Sequence, residues 1–136
     1  MAVAALTGTK DASKRERMTV GRPGIGSIET GITAHAGGTK AAALALTASY
    51  NVLSVCATNG DSVLLPADRK VGDQVEIAND GAANAQVFGA GSDTIDGVST
   101  ATGVVLTAAK RCVYTVASID TSNVAAWISN MGVKSA

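Results

Sequence analysis

The sequence predicts an all-β chain: a compact β-sandwich, jelly roll or small barrel of seven or eight short strands, preceded by an extended N-terminal arm. Three observations carry that expectation. Short runs with period-2 alternation recur beyond residue 40, each bounded by Gly, Asn, Asp or Pro. No stretch there makes a convincing amphipathic helix. Residues 1–40 follow neither period and collect glycines. The chain therefore divides into an arm over 1–40 and a β-rich domain over 41–136.

The stretch around which the domain is organised runs from Val71 to Val98. Val71, Val75 and Ile77 alternate with Gly72, Gln74 and Glu76, as in a half-buried strand. Asn79-Asp80-Gly81 ends that strand. Ala85–Phe88 resumes as a second strand, Gly89–Asp93 makes a tight loop, and Ile95 inserts as an apolar peg before Asp96-Gly97 turns the chain. Upstream, the run from Tyr50 ends at Asn59-Gly60-Asp61, a hairpin signal. Ser62–Leu65 then stops at Pro66, which cannot donate to a central ladder. Downstream, Gly103–Leu106 is a short strand. Arg111–Ala117 places Cys112, Tyr114 and Val116 on one face, and Val124–Asn130 carries Trp127. Consecutive strands with turns at regular spacing read as a meander.

The arm differs in charge as well as pattern. Residues 1–40 hold six basic and three acidic side chains, whereas the rest holds five and eight. Its isoleucines (Ile25, Ile28, Ile32) are spaced without period among glycines. Such a segment rarely folds alone and is suited to ordering on a partner.

Composition limits the function classes. Eleven basic residues balance eleven acidic ones, so the basic excess of a nucleic-acid binder is missing and no direct nucleic-acid contact is expected. The early apolar run is too short for a signal peptide. The uncharged stretch 41–60 is interrupted by Thr47, Ser49, Asn51, Ser54 and Thr58, so no membrane span is expected. Cys56 and Cys112 both sit in apolar strand patterns, where a free thiol packs as a small hydrophobe. Only four aromatic residues occur: Tyr50, Phe88, Tyr114 and Trp127. A core of mostly Ala and Val gains little per residue, which favours a homo-oligomer.

No constellation for catalysis, a cofactor or a metal is expected. His35 is the single histidine, and no Gly-x-Ser-x-Gly elbow accompanies it. Paired Cys or His motifs for zinc are missing. Gly24-Ile25-Gly26 and Gly89-Ala90-Gly91 lack the third glycine of a dinucleotide fingerprint. Gly89–Asp96 matches part of a calcium-binding β-roll repeat, but calcium there lies between tandem copies and one copy is present. Asp93 and Asp96 are the close carboxylate pair outside obvious turns that an enzyme reading would need.

Asp61–Pro66, Val75–Gly81, Gln86–Gly97, the Leu106 strand, Tyr114 and Trp127 together resemble a module of small virion proteins of tailed bacteriophages. The resemblance covers roughly 42–130. It implies a β-rich oligomer, trimer favoured over dimer, that decorates or cements the capsid exterior by binding major capsid protein, after synthesis in the host cytoplasm. The arm falls outside the shared pattern. On this reading Lys14, Arg15, Arg17 and Arg22 steer the approach to an acidic capsid surface, and Ile25, Ile28 and Ile32 fill apolar grooves. The alternative is a receptor- or carbohydrate-binding module of a head or tail fibre.

Overall fold

The computed structural model describes residues 27–131. Ten strands form among them: β1 (Ile28–Thr33), β2 (Leu44–Ala45), β3 (Tyr50–Val55), β4 (Asp61–Leu64), β5 (Gln74–Asn79), β6 (Ala85–Phe88), β7 (Thr94–Ile95), β8 (Val104–Leu106), β9 (Arg111–Ile119) and β10 (Ala125–Ser129). One sheet runs in the order β1-β3-β5-β9-β10-β7 and the other in the order β2-β4-β6-β8. The fold is all-β, as its alternating runs require.

The connectivity corrects the expected meander. β1, β3 and β5 lie parallel in the larger sheet, and β2, β4 and β6 lie parallel in the smaller one. The chain thus coils through three rungs, each laying one strand in each sheet. Antiparallel strands then close the coil: β8 against β6, β9 against β5, and β10 against β9. Asn59-Gly60-Asp61 is a corner between sheets and not a hairpin, because β3 and β4 do not pair. Gly60 turns there at φ +96. The Asp61 carboxylate accepts the Thr58 and Ala57 N–H groups at 3.1 and 2.9 Å. These bonds, led by that from Thr58, hold its carboxyl below the ordinary range. A turn signal reports that the chain bends; it does not report which strand comes next to which.

The first rung also corrects the arm. β1 lies within residues 1–40 and pairs with β3, so the boundary at residue 40 falls inside folded structure. Its two isoleucines share parity and would share a face in a regular strand. A bulge prevents this. Gly31 adopts φ +72, and the register shifts so that Ile28 is opposite Tyr50 while Ile32 is opposite Leu53. Ile28 is left 65% exposed, whereas Ile32 enters the core at 6%. The same bulge explains why the isoleucines read as unpatterned.

One core draws on both sheets: Leu53, Ile77, Tyr114 and Trp127 from the larger, Val63, Val87 and Leu106 from the smaller, with Cys56 and Cys112 buried among them. Burial pushes both thiols up from their ordinary pKa. Ile95 is the plug the sequence indicates, at 2% exposure. Val71, expected on the inward face with Val75 and Ile77, lies before β5 and is exposed. Stacked rungs also need close backbone approach. A Cβ on Gly81 would sit 2.5 Å from the Cys56 amide nitrogen, so only glycine fits beside the preceding corner.

The bulge makes the two isoleucines unequal. Ile32→Ala should lower the unfolding free energy by about 2–4 kcal/mol through lost burial and a cavity. Ile28→Ala should change it by less than about 0.5 kcal/mol. Denaturant titration measures both, and equal effects would contradict the register of β1.

Candidate interaction surface

Much of the described polar interior holds the fold, although Asn51 Oδ1, Asp73 Oδ1 and the Tyr114 hydroxyl are buried without a hydrogen-bond partner. Asn51 donates through Nδ2 to the carbonyls of Ala48 and Glu76, at 2.9 and 3.3 Å. Asn79 donates to Ala83 and Leu106, at 2.9 and 3.1 Å, tying the third corner to β8 of the other sheet. The Ser62 hydroxyl donates to the Gly37 carbonyl at 2.8 Å. The Asn79–Leu106 link joins strands of different sheets that no ladder pairs, and the hydrogen bonds offset the desolvation of these buried groups.

The strongest such link is an ion pair. Arg69, in the connection from β4 to β5, donates from Nε to Asp93 Oδ2 at 2.8 Å and from Nη2 to Asp93 Oδ1 at 2.5 Å. The two side chains are 8% and 1% exposed. Asp93 also accepts the Ala125 N–H at 2.8 Å and the Trp127 indole N–H at 3.3 Å, both from β10. Arg69 reaches the Asn123 carbonyl at 2.8 Å as well. The tight loop therefore delivers a carboxylate to an arginine and to β10 at once. Sequence reading singles out the loop but misses Arg69, since 24 residues separate the partners and neither position has a local signature.

This arrangement decides the fate of the candidate reacting groups. Asp93 receives four N–H donors, one pair of them cationic, which leaves its carboxylate no geometry for calcium. Asp96 accepts both the N–H and the hydroxyl of Ser129, at 2.8 and 2.5 Å. The carboxylate pair is thus structural in its contacts. Among the described residues no group of three or more His, Cys, Asp or Glu is placed to hold a metal. A cleft of about 240 Å³ beside Arg69, Lys70, Asp73 and Trp127 offers no reacting pair either. Asp73 Oδ2 accepts the Lys70 N–H at 2.8 Å, and Arg69 is tied to Asp93.

What the fold presents outward is a sheet face. Three registered rows cross the larger sheet on the side away from the core: Ile28–Tyr50–Glu76–Val113, Val52–Ala78–Arg111 and Gln74–Thr115–Ile128. Six of these ten side chains are apolar or aromatic, and Ile28 and Ile128 are 65% and 50% exposed. Glu76 and Arg111 are the charged residues in these rows and lie 3.6 Å apart. An exposed pair of that kind contributes little to stability. A face of mixed apolar and paired polar groups fits contact with another protein surface.

Of the residues expected to dock the arm, Ile28 lies on this face and Ile32 does not. Ile32 is packed in the core, so its expected role in filling a partner's groove is withdrawn. Lys14, Arg15, Arg17, Arg22 and Ile25 lie outside the described residues. No family model matches the chain, and no curated protein matches it. No helix among the described residues is long and apolar enough to cross a membrane.

The Asp93 geometry makes a definite prediction. Asp93→Asn removes the counter-charge from a buried arginine and should lower stability by about 3–5 kcal/mol. Thermal melts with and without millimolar calcium should show the same loss. A native melting temperature that rises with calcium, and a variant that does not respond, would restore the calcium reading.

Proposed function

We propose that this chain is a structural protein of a tailed-bacteriophage virion, one that decorates or cements the capsid exterior by binding major capsid protein subunits. The observation that carries the reading is the outward face of the six-stranded sheet, six of whose ten registered side chains are apolar or aromatic. The residues that resemble phage virion proteins, roughly 42–130, span β2 to β10 and so include most of that face. The two sheets share one core, which supports reading the domain as a sandwich with this face on its outside.

The mechanism is adhesion. Modest contacts made by each copy, multiplied around a symmetric oligomer, add into attachment that outlasts any single contact. A trimer suits this better than a dimer if the copies sit on three-fold positions of a capsid lattice. Lys14, Arg15, Arg17 and Arg22 supply electrostatic attraction to an acidic capsid surface, and the sheet face supplies apolar contact. The fibre-type alternative, a carbohydrate-binding module, is less well supported. Sugar binding favours exposed aromatic rings, and Phe88, Tyr114 and Trp127 are buried, leaving Tyr50 at the surface.

Co-sedimentation with assembled capsids of the cognate phage tests the proposal. The protein should pellet with capsids, and less of it should do so as salt rises, since exposed charges are screened over about 8 Å at physiological ionic strength. Reversing Lys14, Arg15 and Arg17 to Glu together should weaken binding by about tenfold or more. A protein that stays in the supernatant with capsids at low salt is not a decoration protein.

A further inference from the structure

The corner between β3 and β4 carries a chemically reactive pair. Asn59-Gly60 is the single Asn-Gly sequence in the chain. Where glycine follows asparagine, the glycine main-chain nitrogen can close on the asparagine Cγ, because no Cβ obstructs the five-membered ring. Asn59 is exposed, in a turn whose ends are joined by the Asp61 N–H donating to the Thr58 carbonyl at 3.0 Å.

Both partners of that reaction are held by one residue of the next rung. The Gly60 N–H donates to the Asn84 carbonyl at 2.9 Å. The Asn84 N–H donates to Asn59 Oδ1, also at 2.9 Å. Asn84 is fixed in turn: its Oδ1 accepts the Ala108 N–H at 3.0 Å, and it precedes Ala85, the register partner of Asp61. Ring closure requires the Gly60 nitrogen to lose its proton and approach Asn59 Cγ, and losing that proton breaks the bond to Asn84. The preceding rung packs against the same place. A Cβ on Gly38 would lie 3.2 Å from the Gly60 carbonyl oxygen, and the Gly37 N–H donates to Asp61 Oδ1 at 3.4 Å. Successive corners therefore meet at Gly60 with little room between them.

We propose that Asn59 is a latent deamidation site, latched by Asn84 and modified only when this corner opens away from the next rung. In the opened corner hydroxide removes the Gly60 amide proton. The nitrogen attacks Asn59 Cγ, and the Cγ–Nδ2 bond breaks as ammonia leaves. Water then opens the succinimide at one carbonyl or the other, giving aspartate or isoaspartate. Isoaspartate routes the main chain through Cγ and so adds one methylene between Thr58 and Gly60. That longer corner no longer matches the spacing that sets Gly60 against Gly38 and Asn84, so the change runs one way. Either product adds a negative charge beside Asp61. The inference is independent of what the protein binds.

Two rates measured on the full chain test it: deamidation of Asn59, by peptide-mapping mass spectrometry, and hydrogen exchange of the Gly60 amide. A synthetic peptide of residues 55–65 in the same neutral buffer supplies the unlatched rate of each. Deamidation in the full chain should be slower than in the peptide by about tenfold or more. The slowing should equal that of Gly60 exchange within about threefold, since one opening controls both. A urea series below the unfolding midpoint should raise the two rates in parallel and keeps both measurable. Asn59→Asp should keep the native melting temperature, because a carboxylate still accepts the Asn84 N–H, whereas the purified isoaspartate form should melt lower. Deamidation at the peptide rate overturns the proposal. So does slowing that departs from that of Gly60 exchange in either direction, because the latch is then not what controls the reaction.

Discussion

The fold depends on the buried pair between Arg69 and Asp93. Stacked parallel rungs have no intrinsic end; ladders join β8 to β6 and β9 to β5, and the pair adds a side-chain tie at β10. Arg69 comes from the connection that leaves the second rung, and Asp93 from the loop that leaves the third. The main-chain N–H of Ala125 and the indole of Trp127 come from β10. One carboxylate therefore ties the connection that carries Arg69 to the loop before β7 and to β10, the strand with which β7 pairs. A buried ion pair is a poor source of net stability compared with apolar residues of equal volume. Its value here is geometric, because a bidentate guanidinium–carboxylate contact tolerates little displacement.

Most strand positions were legible in the sequence, and their pairing was not. Val75 and Ile77, Ala85–Phe88, and Cys112–Tyr114–Val116 alternate as half-buried strands should, and all are strands with the expected faces inward. Period-2 alternation is a local property and survives any tertiary arrangement. Neighbour relations are non-local. Gly60 and Asp61 give the same turn chemistry whether the next strand returns beside β3 or crosses to another sheet. β1 was missed because the bulge at Gly31 breaks the period. β2 was missed because Leu44 and Ala45 have no strand signature of their own and gain their conformation from β4.

The site was legible to a lesser degree. The glycine loop and Ile95 were identifiable as structural, but Asp93 gained its meaning only with Arg69 in place. The outward sheet face was invisible in the sequence, since Ile28, Tyr50, Val52, Val113 and Ile128 come from four strands and become one surface only through register. That surface is what supports the proposed adhesive role of a small-residue chain with four aromatics. The core consumes three of the large rings, and the proposed adhesion would draw on a broad face of modest side chains. Such a face gains strength from repetition in an assembly and not from one deep contact.

Arg69 and Asp93 act as a unit, and a double-mutant cycle measures their coupling. Unfolding free energies of the native protein, Arg69→Met, Asp93→Leu and the double variant give the coupling directly. Each single change leaves a charge or its polar partners buried and unpaired, whereas the double change removes both charges. The double variant should therefore lose less than the two singles combined, by about 2 kcal/mol. Single effects that simply add would contradict this, because Arg69 and Asp93 would then contribute to the fold independently of each other.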